Sequence, residues 1–143
     1  MIELVDIAKG VATALRPGRV VVEEPKQTDL DKGPLAYVVI EPISDETAGG
    51  GLFSERGVLV DLAYMDKARV TQKGYYAFVS EMHRKLRPIL RFAGREILLQ
   101  QIQTRLVDGV AHYIFQLHFW DALDLTPAAY VRMQTLFLQK DVE

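Results

Sequence analysis

An Asp-Gly pair at positions 108 and 109 constrains the fold of this chain more than any other feature of its sequence. The pair lies between two short runs of β-forming residues, 106–107 and 110–111. A two-residue hairpin turn needs a positive φ at both central positions, and Asp-Gly is one of the few pairs that readily adopt it. The pair therefore predicts a tight β-hairpin whose return strand begins at Val110.

The return strand alternates strictly between two sets of side chains, as a strand with one buried face does. The set expected to face the core comprises Ala111, Tyr113, Phe115, Leu117 and Phe119. The set expected on the opposite face comprises Val110, His112, Ile114, Gln116 and His118. The alternation predicts that only the first set lies in the core.

Three segments have the periodicity of amphipathic helices. The first covers residues 4–15 and ends before Pro17-Gly18. The third covers residues 126–139, begins with an N-cap threonine and a proline, and carries Met133 and Phe137. The second, a long central helix within residues 71–92, is expected to weaken at Pro88. Its apolar stripe comprises Tyr75, Val79, Met82, Leu86 and Ile89 or Leu90.

Runs of β-forming residues fill the intervals between these helices. We predict strands at residues 19–23, at 35–40 with an end at Pro42, at 58–64, and one or two strands within 96–107. Polar residues 24–34 are interpreted as a loop. The order of these helices and strands along the chain predicts an α+β fold with a mixed, mostly antiparallel sheet of about five or six strands. The N-terminal, central and C-terminal helices would pack on this sheet within a single domain of 143 residues.

Residues 44–57 form a glycine-rich segment that fits none of these periodic patterns. Gly49, Gly50 and Gly51 follow one another and precede the apolar pair Leu52 and Phe53. Three consecutive glycines lose much backbone entropy when they become ordered. The segment is interpreted either as a mobile loop or as an extended hairpin arm.

The residue types that carry most enzyme chemistry are absent or badly spaced. There is no cysteine, which excludes disulfides, cysteine nucleophiles and cysteine-ligated metals in this chain. His112 and His118 share a strand face, but six residues along a strand separate them by about 20 Å, too far to chelate one metal ion. No serine lies in a GxSxG pattern, and the glycines do not begin a phosphate-binding loop. We therefore expect no catalytic residue, metal or cofactor.

The charge pattern leaves one surface open to two interpretations. The net charge is −2, so the whole chain lacks the basic excess of a typical nucleic-acid binder. A basic run at the end of the central helix is either a solvated face near a helix C-terminus or a surface for phosphates or an acidic partner. The run comprises Arg84, Lys85, Arg87, Arg91 and Arg95.

No targeting or membrane segment is expected. No run approaches the roughly 20 apolar residues of a membrane-spanning helix. The N-terminus carries acidic residues early and has no basic region before an apolar run, so it does not resemble a signal peptide. These features predict a soluble intracellular protein.

Several segments are informative through their order along the chain. The N-terminal helix is followed by the acidic pair Glu23-Glu24, and a strand at 37–43 contains a proline. The glycine-rich segment then leads to Arg56 and to a hydrophobic-Asp-hydrophobic strand around Asp61. The most specific segment, residues 107–120, combines the Asp-Gly hairpin with an aromatic-rich strand. In this order, residues 1 to about 120 resemble the phage tail terminator family, although the glycine triplet and the predicted helix at 126–139 depart from its pattern.

The resemblance implies a structural role in a virion. Members of this family form a ring, generally a hexamer, that caps the finished tail tube, ends its polymerisation and provides the joint to the neck and head. The implied partners are further copies of the chain, the tail tube protein, a neck or head-completion protein, and the sheath protein in contractile tails. DNA crosses the lumen without sequence-specific binding. The implied location is the head-proximal end of the tail, after assembly in the host cytoplasm, and the role needs no catalytic residue or cofactor.

Two sets of residues are candidates for this role. Candidates for subunit interfaces are Gly49, Gly50, Gly51, Leu52, Phe53, Arg56, Met133 and Phe137. Candidates for charges at the lumen or rim are Glu46, Glu55 and Arg69. One alternative is another ring protein of the neck or tail. A second alternative is a small enzyme or ligand-binding domain, which only Tyr75, Tyr76, His112 and His118 suggest.

Overall fold

The core of the protein lies between one face of a β-sheet and a layer of helices. A computed structural model describes residues 2–122 of the chain. In chain order the elements are α1 (Leu4–Ala14), β1 (Val20–Val21), α2 (Gln27–Asp31), β2 (Leu35–Ala48), β3 (Phe53–Met65), α3 (Gln72–Leu86), β4 (Ile89–Phe92), β5 (Arg95–Leu98), β6 (Gln100–Val107) and β7 (Val110–Ala122). The residues Gly49–Gly51 form one turn of 3₁₀ helix between β2 and β3. The fold class is α+β, which confirms the prediction.

Five strands form one mixed sheet in the order β1-β2-β3-β7-β6. The two residues of β1 run parallel to β2, and the other neighbouring strands of this sheet are antiparallel. β4 and β5 form a separate two-stranded antiparallel sheet. The arrangement confirms the prediction of a mixed, mostly antiparallel sheet.

The Asp-Gly hairpin joins β6 to β7 at the predicted place. The φ angle is 51° at Asp108 and 75° at Gly109, and Val107 pairs with Val110 beside the turn. The five β7 side chains predicted to face the core are at most 3% exposed. On the opposite face Ile114 is also buried, although His118 is exposed. β7 is therefore a central strand of the core.

The two longer helices cover one face of the sheet. α1 confirms the predicted N-terminal helix and buries Ile7 and Val11 completely. α3 buries Phe78, Met82 and Leu86, and of these the predicted apolar stripe lacked only Phe78.

The predicted extent of the central helix is wrong at its C-terminal end. α3 ends at Leu86, and Ile89 and Leu90 belong to β4. Arg87 has extended backbone angles, as expected of a residue that precedes a proline. Pro88 also lacks the N–H that the next helical turn would need. Together these restrictions outweigh the helical periodicity that continues through the apolar residues.

Three further boundaries differ from the predictions. The strand predicted at 19–23 is limited to the two residues of β1, and the predicted loop at 24–34 contains the short helix α2. β2 does not end at Pro42, which pairs with Val58 before an irregularity in the register at Ile43. Because β1 pairs only with Ala36 and Tyr37, the rest of β2 is an edge, where a strand tolerates a missing N–H donor.

The helix predicted at 126–139, with Met133 and Phe137, lies outside the described residues. Within residues 2–122, the helices are all too short or too polar to cross a membrane.

Candidate assembly surface

The glycine-rich segment forms the end of a fully paired hairpin, which corresponds to the second of its two interpretations. Pairing of β2 with β3 continues to Ala48 and Phe53, and β3 also pairs with β7 as far as Ala122. We call residues 41–56, together with residues 118–122 of β7, the arm. Its turn requires glycine because φ is 61°, 69° and 89° at the three successive glycines.

The inner side of the arm is attached to the N-terminus of the chain. Arg56 Nη1 lies 3.3 Å from Asp121 Oδ2, and both side chains are at most 13% exposed. The same carboxylate oxygen accepts a hydrogen bond of 2.7 Å from the backbone N–H of Ile2, and Arg56 donates to the Ile2 carbonyl. The guanidinium also lies over the ring of Phe119. These contacts turn Arg56 inward and fix the orientation of the arm on the core.

The outer side of the arm exposes aromatic rings next to carboxylates. Glu46 pairs with Glu55, which pairs with Trp120, so their side chains share the outer face of the sheet. Phe53 follows two residues before Glu55 on the same face, and Glu41 lies further down β2. The side chains of Phe53 and Trp120 are 44% and 51% exposed. We call these five residues the arm face, and Leu52, 53% exposed, lies at its tip.

Glu46 and Glu55 form an unfavourable pair within the arm. They are directly opposite each other on neighbouring strands, an arrangement that destabilises a sheet when both residues carry the same charge. Within residues 2–122, neither carboxylate forms an ion pair. A cation from another molecule would relieve this repulsion.

A basic groove runs between α1 and the residues that follow α3, on the helix-covered side of the sheet. One end of it adjoins the arm, where Arg95 donates a hydrogen bond to the carbonyl of Trp120. Two cavities of about 470 Å³ and about 450 Å³ share Gly10, Thr13 and Arg91 in their walls, so they join into one trough. Asp6 and Glu96 are the two carboxylates in its walls. Its cations are Lys9, Lys85, Arg87, Arg91 and Arg95. Four of the five residues of the predicted basic run therefore line the trough, together with Lys9 from α1.

Arg69 lies far from the other predicted rim charges. It is next to the Asp-Gly turn, where the N–H of Val70 donates a 2.9 Å hydrogen bond to the carbonyl of Gly109. That turn begins β7, and the arm contains its other end. Glu55 pairs with Trp120, ten residues along β7 from Val110, so about 33 Å of strand separate Arg69 from Glu55. The structure thus places Glu46 and Glu55 together but not with Arg69.

The residues that suggested an enzyme or a ligand-binding domain do not converge on one site. Tyr75 donates a hydrogen bond to Thr104, and Tyr76 is exposed. His112 contacts Asp61 at 3.0 Å on the outer face of the sheet, whereas His118 lies 3.1 Å from the side chain of Gln116. Among residues 2–122, no group of three side chains is placed to bind a metal ion.

Two tyrosines, the buried Tyr113 and the partly buried Tyr64, have raised pKa values. Burial raises the pKa of Tyr113, although the charge of Arg87 lowers it in part. The Tyr113 hydroxyl lies 3.0 Å from Nδ1 of His83, a contact that no sequence pattern indicated. Burial also raises the pKa of Tyr64, with smaller contributions from nearby carboxylates. Tyr113 belongs to the core cluster and Tyr64 packs against it, so the raised pKa values affect how folding stability depends on pH.

The fold and the two surfaces describe a class: an α+β protein with a mixed five-stranded sheet, a projecting three-stranded arm and a basic trough. The chain matches no protein-family model and no curated protein. The order of the sequence segments and the geometry of the arm and the trough are therefore the features from which a function can be inferred.

Proposed function

We propose that this protein is a phage tail terminator, a structural virion protein that forms a hexameric ring on the finished tail tube. The ring ends tube polymerisation and presents the joint to the neck and head. The observation that carries the proposal is the arm face, where Phe53 and Trp120 are exposed beside the like-charged pair Glu46 and Glu55. The order of family-like segments along the chain supports it independently.

The arm supports an assembly role because two of its features are unfavourable in an isolated chain. Exposed aromatic rings clustered on one face are typical of surfaces that bind another protein. The pair Glu46 and Glu55 repel each other until a cation comes close. A partner that supplies both an apolar surface and positive charge relieves both costs, as a subunit interface does.

The predicted C-terminal helix belongs to the same proposal. Residues 126–139 would form this helix and pack on the sheet, either of their own subunit or of the next one. Ala122, where the described part of the chain ends, pairs with Phe53 in the arm. If the helix packs on the next subunit, Met133 and Phe137 would be part of the subunit interface.

The partners follow from a position at the head-proximal end of the tail. The ring would contact the tail tube protein on one rim and a neck or head-completion protein on the other, with the sheath protein outside it in a contractile tail. DNA would cross the lumen without sequence-specific contacts. Because about 33 Å of strand separate Arg69 from Glu55, they would lie on different rims of the ring. No catalytic residue or cofactor is needed.

Two measurements test the proposal: the oligomeric state of the chain and its ability to cap tail tubes. Light scattering behind a sizing column, over a wide concentration range, and negative-stain images of the largest species should show a ring with an open centre. Added to polymerising tail tube protein, the chain should bind tube ends and stop growth. Absence of rings both in solution and on tube ends would overturn the proposal. Rings that bind the neck protein but ignore tubes would favour the alternative, a neck ring.

Shortening of the arm tests its part in the ring. Deletion of residues 49–53 removes the glycine turn and Phe53 but keeps the rest of β2 and β3. We expect this variant to keep its circular dichroism spectrum and to lose ring formation. Ring formation that survives the deletion unchanged would show that the arm is not needed for assembly.

A further inference from the structure

We propose that the arm face of one copy docks into the basic trough of the next copy, so that the ring assembles head to tail. This inference rests on the proposed function, because it assigns the two contacting surfaces of the same ring. The arm face is Glu41, Glu46, Phe53, Glu55 and Trp120, and the trough contains Lys9, Lys85, Arg87, Arg91 and Arg95.

The two surfaces have opposite charges. The arm face carries three exposed carboxylates, and within the described chain Glu41, Glu46 and Glu55 form no ion pair. The trough contains five cations against two carboxylates. Within residues 2–122, Lys9 and Arg87 form no ion pair either. Opposite potentials on two surfaces select the partner and increase the rate of encounter.

The trough also suits the aromatic rings of the arm face. Its walls include the apolar residues Phe92, Pro88 and Ile89, and Gly10 leaves its floor without a side chain. Each of its two cavities exceeds the roughly 300 Å³ at which small-ligand pockets begin, so an aromatic side chain fits. Arg91 is already paired with Glu96, whereas the guanidinium of Arg87 forms no ion pair among residues 2–122 and is available to stack on such a ring.

The positions of the two surfaces favour a head-to-tail contact over a symmetric dimer. The arm face lies on the outer side of the sheet, whereas the trough lies in the layer of α1 and β4 on the other side. Neither surface is complementary to itself, because one carries mostly carboxylates and the other mostly cations. An interface between two different surfaces is heterologous, and it closes into a ring when the rotation between subunits permits.

Charge reversal on each surface tests the inference. Glu46→Lys/Glu55→Lys makes the arm face basic, and Lys9→Glu/Arg91→Glu makes the trough acidic. All four residues are exposed, so both variants should stay folded. Lys9→Glu/Arg91→Glu should be slightly less stable, because it removes the ion pair of Arg91 with Glu96, its partner on β5. Each variant alone should self-associate about a hundredfold more weakly, since like charges then face each other across the interface. A matched control, Glu24→Lys/Asp31→Lys, reverses two exposed acids outside both surfaces and should assemble normally.

A mixture of the two variants gives the sharper result. The basic arm of one variant fits the acidic trough of the other, and the unchanged arm and trough fit each other as before. An equimolar mixture should therefore restore rings in which the two chains alternate, which a hexamer permits. Mass photometry of the mixture, with one variant carrying a mass tag, should find equal numbers of both chains in each ring.

The outcomes separate this inference from the proposed function. If the single variants form rings as well as the original chain, or if the mixture stays dissociated, the docking of arm in trough is wrong while the ring and its capping role stand. If rings form by this contact but never bind a tube end, the terminator role is wrong while the docking stands. If Lys9→Glu/Arg91→Glu assembles normally and only loses affinity for duplex DNA, the trough binds phosphates and the inference is overturned.

Discussion

Gly10 shows how the absence of one side chain determines where α1 lies. A Cβ atom at this position would lie 2.5 Å from the carbonyl oxygen of Arg91 and 2.8 Å from the Cβ of Phe92. Real Cβ atoms do not approach backbone oxygen so closely, and the opposing atoms belong to β4 rather than to a flexible side chain. Glycine therefore permits the close contact between α1 and β4 that forms the floor of the trough.

The first prediction concerns this contact. Gly10→Ala should lower the free energy of unfolding by about 1–3 kcal/mol, because overpacking forces the backbones of α1 and β4 apart. The loss should occur although alanine is the better helix former by about 1 kcal/mol. The measurement is urea unfolding followed by circular dichroism. Gly74→Ala is the matched control, since its Cβ would find its nearest neighbours at 3.4 Å, and it should be neutral or stabilising.

Tyr113 links a buried hydroxyl to the pH dependence of stability. Its ring is fully buried, and burial raises the pKa of the hydroxyl, with Arg87 opposing in part. The fold favours the neutral form, so the unfolded chain releases this proton at lower pH than the folded chain. The stability is therefore fully present below the unfolded pKa of about 10 and is lost as the pH rises through the higher folded value.

The second prediction follows from this sign. The free energy of unfolding should fall as the pH rises above about 10, and Tyr113→Phe should make that fall shallower. Part of the slope should remain, because the pKa of Tyr64 is raised by burial and, to a smaller extent, by Asp66 and Glu81. Near neutral pH the variant should lose about 1 kcal/mol with the contact to His83. Equal alkaline slopes for both proteins, in urea titrations at a series of pH values, would contradict this account.

At the scale of elements, local patterns predict a structure well where neighbours in sequence determine it. The Asp108-Gly109 hairpin was predictable because the turn geometry depends on those two residues. The end of α3 was not, because apolar residues keep helical spacing through Leu90 while Pro88 removes the hydrogen bond. The passage of β2 through Pro42 depends on which strand lies beside it, and no local pattern contains that information.

The third prediction concerns the ion pair between Arg56 and Asp121 within the arm, both of which also bind the backbone of Ile2 just before α1. Asp121→Ala should lower the free energy of unfolding by about 3 kcal/mol, because it leaves the largely buried charge of Arg56 without its partner. It also removes the acceptor for the N–H of Ile2, so amide hydrogen exchange should accelerate in the first turn of α1. Urea unfolding and hydrogen exchange measure the two effects.

The control removes both charges together. Arg56→Met/Asp121→Leu replaces the pair by apolar side chains, and such replacements are often neutral or stabilising. The double variant should therefore be more stable than Asp121→Ala. A double variant as unstable as the single one would show that packing, rather than the unpaired charge, causes the loss.

For the whole molecule, the candidate surface was only half predictable. The three glycines indicated an arm or a loop, and the choice between them depends on pairing of β3 with the far end of β7, more than sixty residues away. The basic run indicated four of the trough cations. The trough itself combines α1 with residues 85–96, and periodicity within either segment cannot show that they meet. Lys9 lies in the trough only because α1 packs against those residues, so the sequence did not predict its place there.

The last prediction separates the charged and the apolar parts of the assembled interface. Raising the salt concentration from about 0.1 M to about 1 M shortens the screening length from about 10 Å to about 3 Å. The dissociation constant of rings formed by the original chain should therefore rise with the salt concentration. Glu46→Gln/Glu55→Gln should associate more weakly at low salt and lose most of this salt dependence. Phe53→Ser/Trp120→Ser should be weaker at every salt concentration and keep the original slope, because burial of aromatic rings does not depend on screening. Sedimentation velocity over a salt series measures both effects. If the original chain associates more tightly in high salt, apolar contacts alone hold the ring. If Phe53→Ser/Trp120→Ser shows a weaker salt dependence than the original chain, the charged and apolar parts of the interface do not act separately.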